Sequence, residues 1–268
     1  MEQRLQLQPG WREAALAALL LAPLVYLLFV HGAPIPQDQS YHDLADVRTW
    51  LGIRNFGNVA SNVLFLVVGV AGMLWCQRHA GNGARNSWMV FFLGVALVFF
   101  GSAYYHLAPG DDTLVWDRLP MTMAFMGVSA ALVAEHHSGK FERLLLIAAV
   151  AIGIASVLWW THSGDLRIYI WVQAAPLLTI PLVIALYPGR HSHRHYLFYA
   201  FIIYALAKLA EHNDREIYEL TSNAVSGHSL KHLLAAAASF CVYLMLVRRS
   251  PIGRAGVRES GKSKTEKT

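Results

Sequence analysis

The sequence predicts an all-α protein, a polytopic bundle of transmembrane helices, and three observations carry that prediction. Of 268 residues, 55% are hydrophobic and only 15% charged, whereas soluble domains carry about 25% charged residues. The apolar residues fall in runs of about 17 to 21, long enough to cross a hydrocarbon core of about 30 Å at 1.5 Å of rise per residue. Short polar stretches separate these runs, a spacing that suits helices and not a barrel.

Eight spans follow, placed at about 14–30, 58–76, 88–106, 119–135, 144–160, 168–187, 196–212 and 229–247. The first follows Arg12 and ends in small residues near Ala33. It reads as a retained helix, because Pro34 disfavours cleavage there. The second opens on NFGNVASN at 55–62 and the third closes on GSAYYH at 101–106. WDRLPM at 116–121 opens the fourth. Trp116, Trp159, Trp160 and Trp171 stand near span ends, as interfacial belt residues do. The seventh carries Lys208 and Glu211 near its end, three apart, which suits an ion pair. SGHSLKH at 226–232 opens the eighth. No internal repeat is present, so residues 1–252 read as one membrane-embedded domain and 253–268 as a basic, disordered cytoplasmic tail.

An even number of spans puts both termini on one side. The net charge of +5 gathers at the carboxyl end, where Arg248, Arg249, Arg254, Arg258, Lys262, Lys264 and Lys267 follow the last span. A basic segment beside a membrane helix marks the cytoplasmic side and an anionic leaflet, and is not a nucleic-acid footprint. Short loops and a brief amino terminus point to a bacterial inner membrane. The loop residues His136, His137, His191, His193 and His195 then face cytoplasmic headgroups. Cys76 and Cys241 lie within apolar runs and read as small hydrophobes, with neither a disulfide framework nor a thiolate metal site.

Ionisable groups inside a membrane are expensive, and here they collect at one level. Ser102 and His106 are four apart at the end of the third span, hence on one face. Asp117 opens the fourth, and His228 and His232, again four apart, open the eighth. All five fall near the non-cytoplasmic surface. Three imidazoles can hold a zinc ion that keeps one position for water. Asp117 would then orient that water and take its proton, and Ser102 would donate to the developing oxyanion. The plainer alternative keeps each residue structural: histidines bonding between helices, Ser102 packing, Asp117 capping its helix. Asn58, Ser61 and Asn62 likewise suit bonding to a neighbouring helix. Tyr104 and Tyr105 flank the site, as packing or as a lipid entry. A transporter is disfavoured, since the polar groups collect at one end and no interrupted helix pair marks the midplane.

In that order and spacing, NFGNVASN, GSAYYH, WDRLPM and SGHSLKH resemble the alkaline ceramidase family, over about Asp38 to Leu246. This family lies within the superfamily of seven-helix membrane hydrolases that includes the progestin and adipoQ receptors. The resemblance implies seven shared helices plus one extra amino-terminal helix. It implies Zn2+ held by His106, His228 and His232, with Ser102 and Asp117 beside it. The implied reaction cleaves the amide bond of ceramide, a lipid drawn from the bilayer, into a sphingoid base and a fatty acid. A receptor of the adipoQ type, with the zinc site structural, is the alternative it allows. Animal members also bind Ca2+ before the first shared helix, where Asp38, Asp43, Asp46 and Asn55 stand here; Asn55 replaces a glutamate, which weakens a site that depends on carboxylate count. Apart from the resemblance, and as an alternative to the simpler ion pair with Lys208, Glu211 or Asp214 would bond the free nitrogen of a ligating histidine.

Overall fold

A computed structural model describes residues 10–79, 84–136 and 139–252. The basic residues from Arg254 onward, and His137, lie outside the described residues. All eight expected spans are helices. The first is α1 (Trp11–Val25), continued by a π turn over Tyr26–Val30. The second is split into α2 (Phe56–Ala60) and α3 (Val63–Arg78). Then come α4 (Arg85–Leu107), α5 (Asp111–Ala134), α6 (Gly139–Ser163), α7 (Arg167–Leu186) and α8 (His195–His212). A short α9 (Asp214–Leu220) precedes α10 (Gly227–Arg248). No strand occurs among the described residues. Six of the spans are apolar and long enough to cross a membrane. The other two, α5 and α8, carry charges within their length: Asp117 and Arg118, both buried, on one, and Lys208 and Glu211 on the other.

Helix α5 starts at Asp111, eight residues before the expected 119, so Asp117 lies in its second turn and cannot cap it. Helices α4 and α5 approach closely because Gly101 faces the Trp116 carbonyl and the Asp117 amide, where a Cβ would overlap the α5 backbone. Ser102 therefore reaches Asp117. Helix α10 packs on α8 and α3, and Gly227 admits the backbone of Ala210 and Asp214 where a side chain would collide. An apolar core runs through α3, α4, α5 and α10, with Trp88, Phe92, Leu132 and Leu246 wholly buried. Cys76 is buried in it and Cys241 packs against it, both as free thiols.

Helix α1 stands at the margin, against α7. Leu16 is buried against the core, and the Trp171 indole donates to the Leu20 carbonyl (2.7 Å). Farther along, Arg167 donates to the Gly32 carbonyl (2.9 Å) and pairs with Asp165, which accepts the Ile35 amide (3.2 Å). This Arg167 pairing holds the Asp165 carboxyl at about 2, below its ordinary 3.8. At the opposite end from Asp165, arginines close helices by taking carbonyls that lack ladder partners. Arg190 bonds the Glu135 and His136 carbonyls at the end of α5, and Arg194 those of Val183 and Tyr187 at the end of α7. Trp160, expected at the interface, is only 4% exposed; the Arg118 guanidinium lies 4.1 Å from its ring centre and 4.5 Å from that of Tyr169. Trp116 and Trp159 are exposed as the belt reading requires.

Candidate metal centre

Two helix ends converge to build the site. His106 projects from the last turn of α4, and His228 and His232 from the first two turns of α10. The start of α10 is anchored twice. Ser226 Oγ accepts from the Ser229 amide (3.0 Å), and Asp214 Oδ1 accepts from the His228 amide (2.7 Å). These bonds satisfy free N–H groups of the first turn and hold both histidines on one face. All three rings are buried, with ring centres 4.8, 4.9 and 4.9 Å apart. Among the described residues this is the one group of three or more His, Cys, Asp or Glu whose ligating atoms lie within 4.8 Å of one another.

The donor set fits a tetrahedral zinc ion. Two nitrogens at about 2.0–2.1 Å from such an ion stand roughly 3.3–3.4 Å apart. The Nε2 atoms of His106 and His232 are 3.3 Å apart. Ser102 and Asp117 are buried one turn away, with the Ser102 hydroxyl beside the Asp117 carboxylate and, among the described residues, without a hydrogen bond of ordinary geometry. Both line an apolar cavity together with His232, Lys231, Glu211 and Lys208. The cavity continues between α4, α5, α7, α8 and α10 past Val98, Ala124, Ala238 and Val242. A second, polar cleft lies over the other side of the site, lined by Tyr41, Asp43, Asp214, Glu216 and His228. Lys208 and Glu211 line both.

Neither acidic residue expected behind the histidines bonds an imidazole. Glu211 pairs with Lys208 as anticipated, and also with Lys231 (2.8 Å) and the Tyr41 hydroxyl (3.1 Å). Burial pushes the Tyr41 phenol well up, helped by the Glu211 charge. Asp214 serves backbone amides, of His228 and of Ala45 (2.9 Å). Other side chains take the ring nitrogens: Lys231 Nζ, which the sequence did not single out, lies 3.1 Å from His228 Nε2, and Ser61 Oγ 2.8 Å from His232 Nδ1. NFGNVASN showed Ser61 as a helix-bonding residue without naming its partner. Asn58 does bond between helices, accepting from Ser226 and Ser229 of α10 (3.3 and 3.0 Å). Tyr105 is wholly buried and bonds His42 (3.0 Å), so it packs; Tyr104 is exposed.

The four calcium candidates do not assemble. Both Asp46 oxygens bind the Arg48 guanidinium (2.8 and 2.7 Å), which sets a fixed cation where a bound one would need the carboxylate. Burial raises the Asp46 carboxyl and these Arg48 bonds lower it; the bonds win, and it lies below its ordinary range. Asn55 spends its amide nitrogen on the His106 carbonyl (2.7 Å), and Asp38 accepts the Ser40 amide (2.9 Å). Asp43 faces the polar cleft.

A family model described as Ceramidase matches residues 52–251, more than half of the chain. The match takes in all three histidines, Ser102 and Asp117, and leaves out α1. No curated protein matches the chain, and no solved structure does.

Proposed function

The chain belongs to the ceramidase family, and from that premise we propose that it is a zinc-dependent intramembrane amidase acting on ceramide or a related lipid amide. Membership makes it a hydrolase of an amide bond outside peptides. The observation that carries the rest is the buried His106, His228 and His232 cluster beside Ser102 and Asp117 at one end of an apolar cavity.

His106, His228 and His232 would hold the ion. Zinc there supplies a Lewis acid for the amide carbonyl and lowers the pKa of water towards about 7. Asp117 takes the proton of the attacking water and returns it to the leaving nitrogen, so the C–N bond breaks as the amine gains its proton. Ser102 donates its hydroxyl to the oxyanion that develops as the water adds. The cavity receives the acyl chain. From Ser102 to Phe91 on α4 it follows about 16 Å of helix, room for roughly a dozen methylenes. Water comes from the polar cleft, across the Lys208 and Glu211 wall. The loop charges favour a site near the non-cytoplasmic face of a bacterial inner membrane, with the carboxyl terminus in the cytoplasm. A receptor that used the histidines only structurally would have no need of a lipid-sized cavity ending on Ser102 and Asp117.

The test is a hydrolysis screen of labelled ceramides and other lipid amides, using protein purified without chelator. Free fatty acid should appear, vanish with a zinc chelator and return with added zinc, and the protein should carry about one zinc per chain. Absence of any stoichiometric transition metal would overturn the zinc mechanism. Binding of ceramide without release of fatty acid would favour the receptor.

A further inference from the structure

We infer that Ser61 is a positioning residue that sets the tautomer of His232 and so tightens the metal site; the inference rests on the zinc reading above. Ser61 sits where the second span breaks, between α2 and α3. The break takes the Asn62 amide off the Asn58 carbonyl and onto that of Val59 (3.3 Å). The Asn58 carbonyl is left to accept side chains: Asn62 Nδ2 (2.7 Å) and the Ser61 hydroxyl (3.1 Å).

A serine hydroxyl has one proton. With it given to the Asn58 carbonyl, Ser61 Oγ can only accept at its 2.8 Å contact with His232 Nδ1. His232 then carries its proton on Nδ1 and keeps the Nε2 lone pair free. That nitrogen is the one 3.3 Å from His106 Nε2. The opposite tautomer would aim an N–H into the space between the two rings and prevent ligation. Asn58 is itself fixed from two sides, by its donation to the Asp46 carbonyl (3.0 Å) and by Ser226 and Ser229 at the head of α10. Among the described residues His106 Nδ1 has no hydrogen-bond partner. Ser61 therefore supplies orientation to one ligand of a pair whose other ring has none.

Loss of such an orienting partner costs about 10- to 100-fold in metal affinity. The measurement is the zinc Kd of the full chain in detergent, by competition with a chromophoric chelator, for wild type, Ser61→Thr and Ser61→Val. Threonine and valine share a shape and differ in the hydroxyl, and a helical threonine can still reach the backbone carbonyl one turn back. Ser61→Thr should bind as wild type does, and Ser61→Val about 10- to 100-fold more weakly. Equal affinities in the two variants would overturn the inference while leaving zinc binding intact. A wild type that binds no zinc would instead remove the premise, and the inference with it. A measurement on wild type alone stands apart from variant folding: nitrogen NMR of labelled histidine in zinc-free protein should find His232 protonated on Nδ1. Protonation on Nε2 would refute the assignment.

Discussion

If the apolar cavity holds the acyl chain, a plug within it should change chain-length preference at a depth set by the helix. Ala238 lies on α10 six residues beyond His232, about 9 Å along the axis, and it is buried and lines the cavity. In Ala238→Phe the ring would fill the bore at that depth and leave room for roughly half the chain that the full 16 Å accepts. The size of the effect is steric. A substrate tail leaves bilayer hydrocarbon for protein hydrocarbon, so the ~0.8 kcal/mol per methylene gained on leaving water does not apply. Forcing a long chain against the plug should cost about 1–3 kcal/mol, or about 5- to 150-fold in kcat/KM. The assay is competitive hydrolysis of ceramides with short and long acyl chains, reported as the long-to-short ratio of kcat/KM. Ala124→Phe tests the same depth independently, because Ala124 lies seven residues beyond Asp117 on α5, about 10 Å. Folding is checked by zinc content and Tm. A wild-type ratio in both folded variants would show that the chain lies elsewhere.

The remaining predictions concern the site and its supports. His232→Ala should lose both zinc and activity, measured by metal analysis and fatty-acid release. In Asp117→Asn, kcat should fall on the order of 10²- to 10⁴-fold while zinc content stays near that of wild type; full turnover would strip Asp117 of its role. Glu211→Gln leaves Lys231, only 12% exposed in its side chain, without its counter-ion, and should lower stability by about 3 kcal/mol, read from denaturation in detergent. Asp165 has a depressed pKa, so its contribution to stability is complete above 3.8 and is lost as pH falls through about 2. Asp165→Asn should therefore flatten the dependence of Tm on pH between those values, and an unaltered acid limb would show that the pair with Arg167 contributes nothing.

The sequence by itself determined what depends on depth and on local spacing. Hydropathy reports whether a segment is soluble in hydrocarbon, a property of the segment alone, and so eight helices were legible before any packing was known. An i, i+4 pair shares a face in any helix, which was enough to bring His228 with His232 and Ser102 with His106 to one level. The ordered motifs added the family. Azimuth and neighbours are a different matter, because they depend on which helices touch. Nothing local shows that Arg48 takes Asp46 out of a calcium site, that Arg118 covers Trp160, or that Asp214 serves backbone amides while Lys231 meets His228. Nor does NFGNVASN show that its helix breaks at Ser61 and turns one hydroxyl towards His232. Those outcomes were decided by tertiary structure: the folded backbone turns near neighbours such as Asp46 and Arg48, or His228 and Lys231, towards each other, and it brings residues as distant in sequence as Ser61 and His232 within about 3 Å.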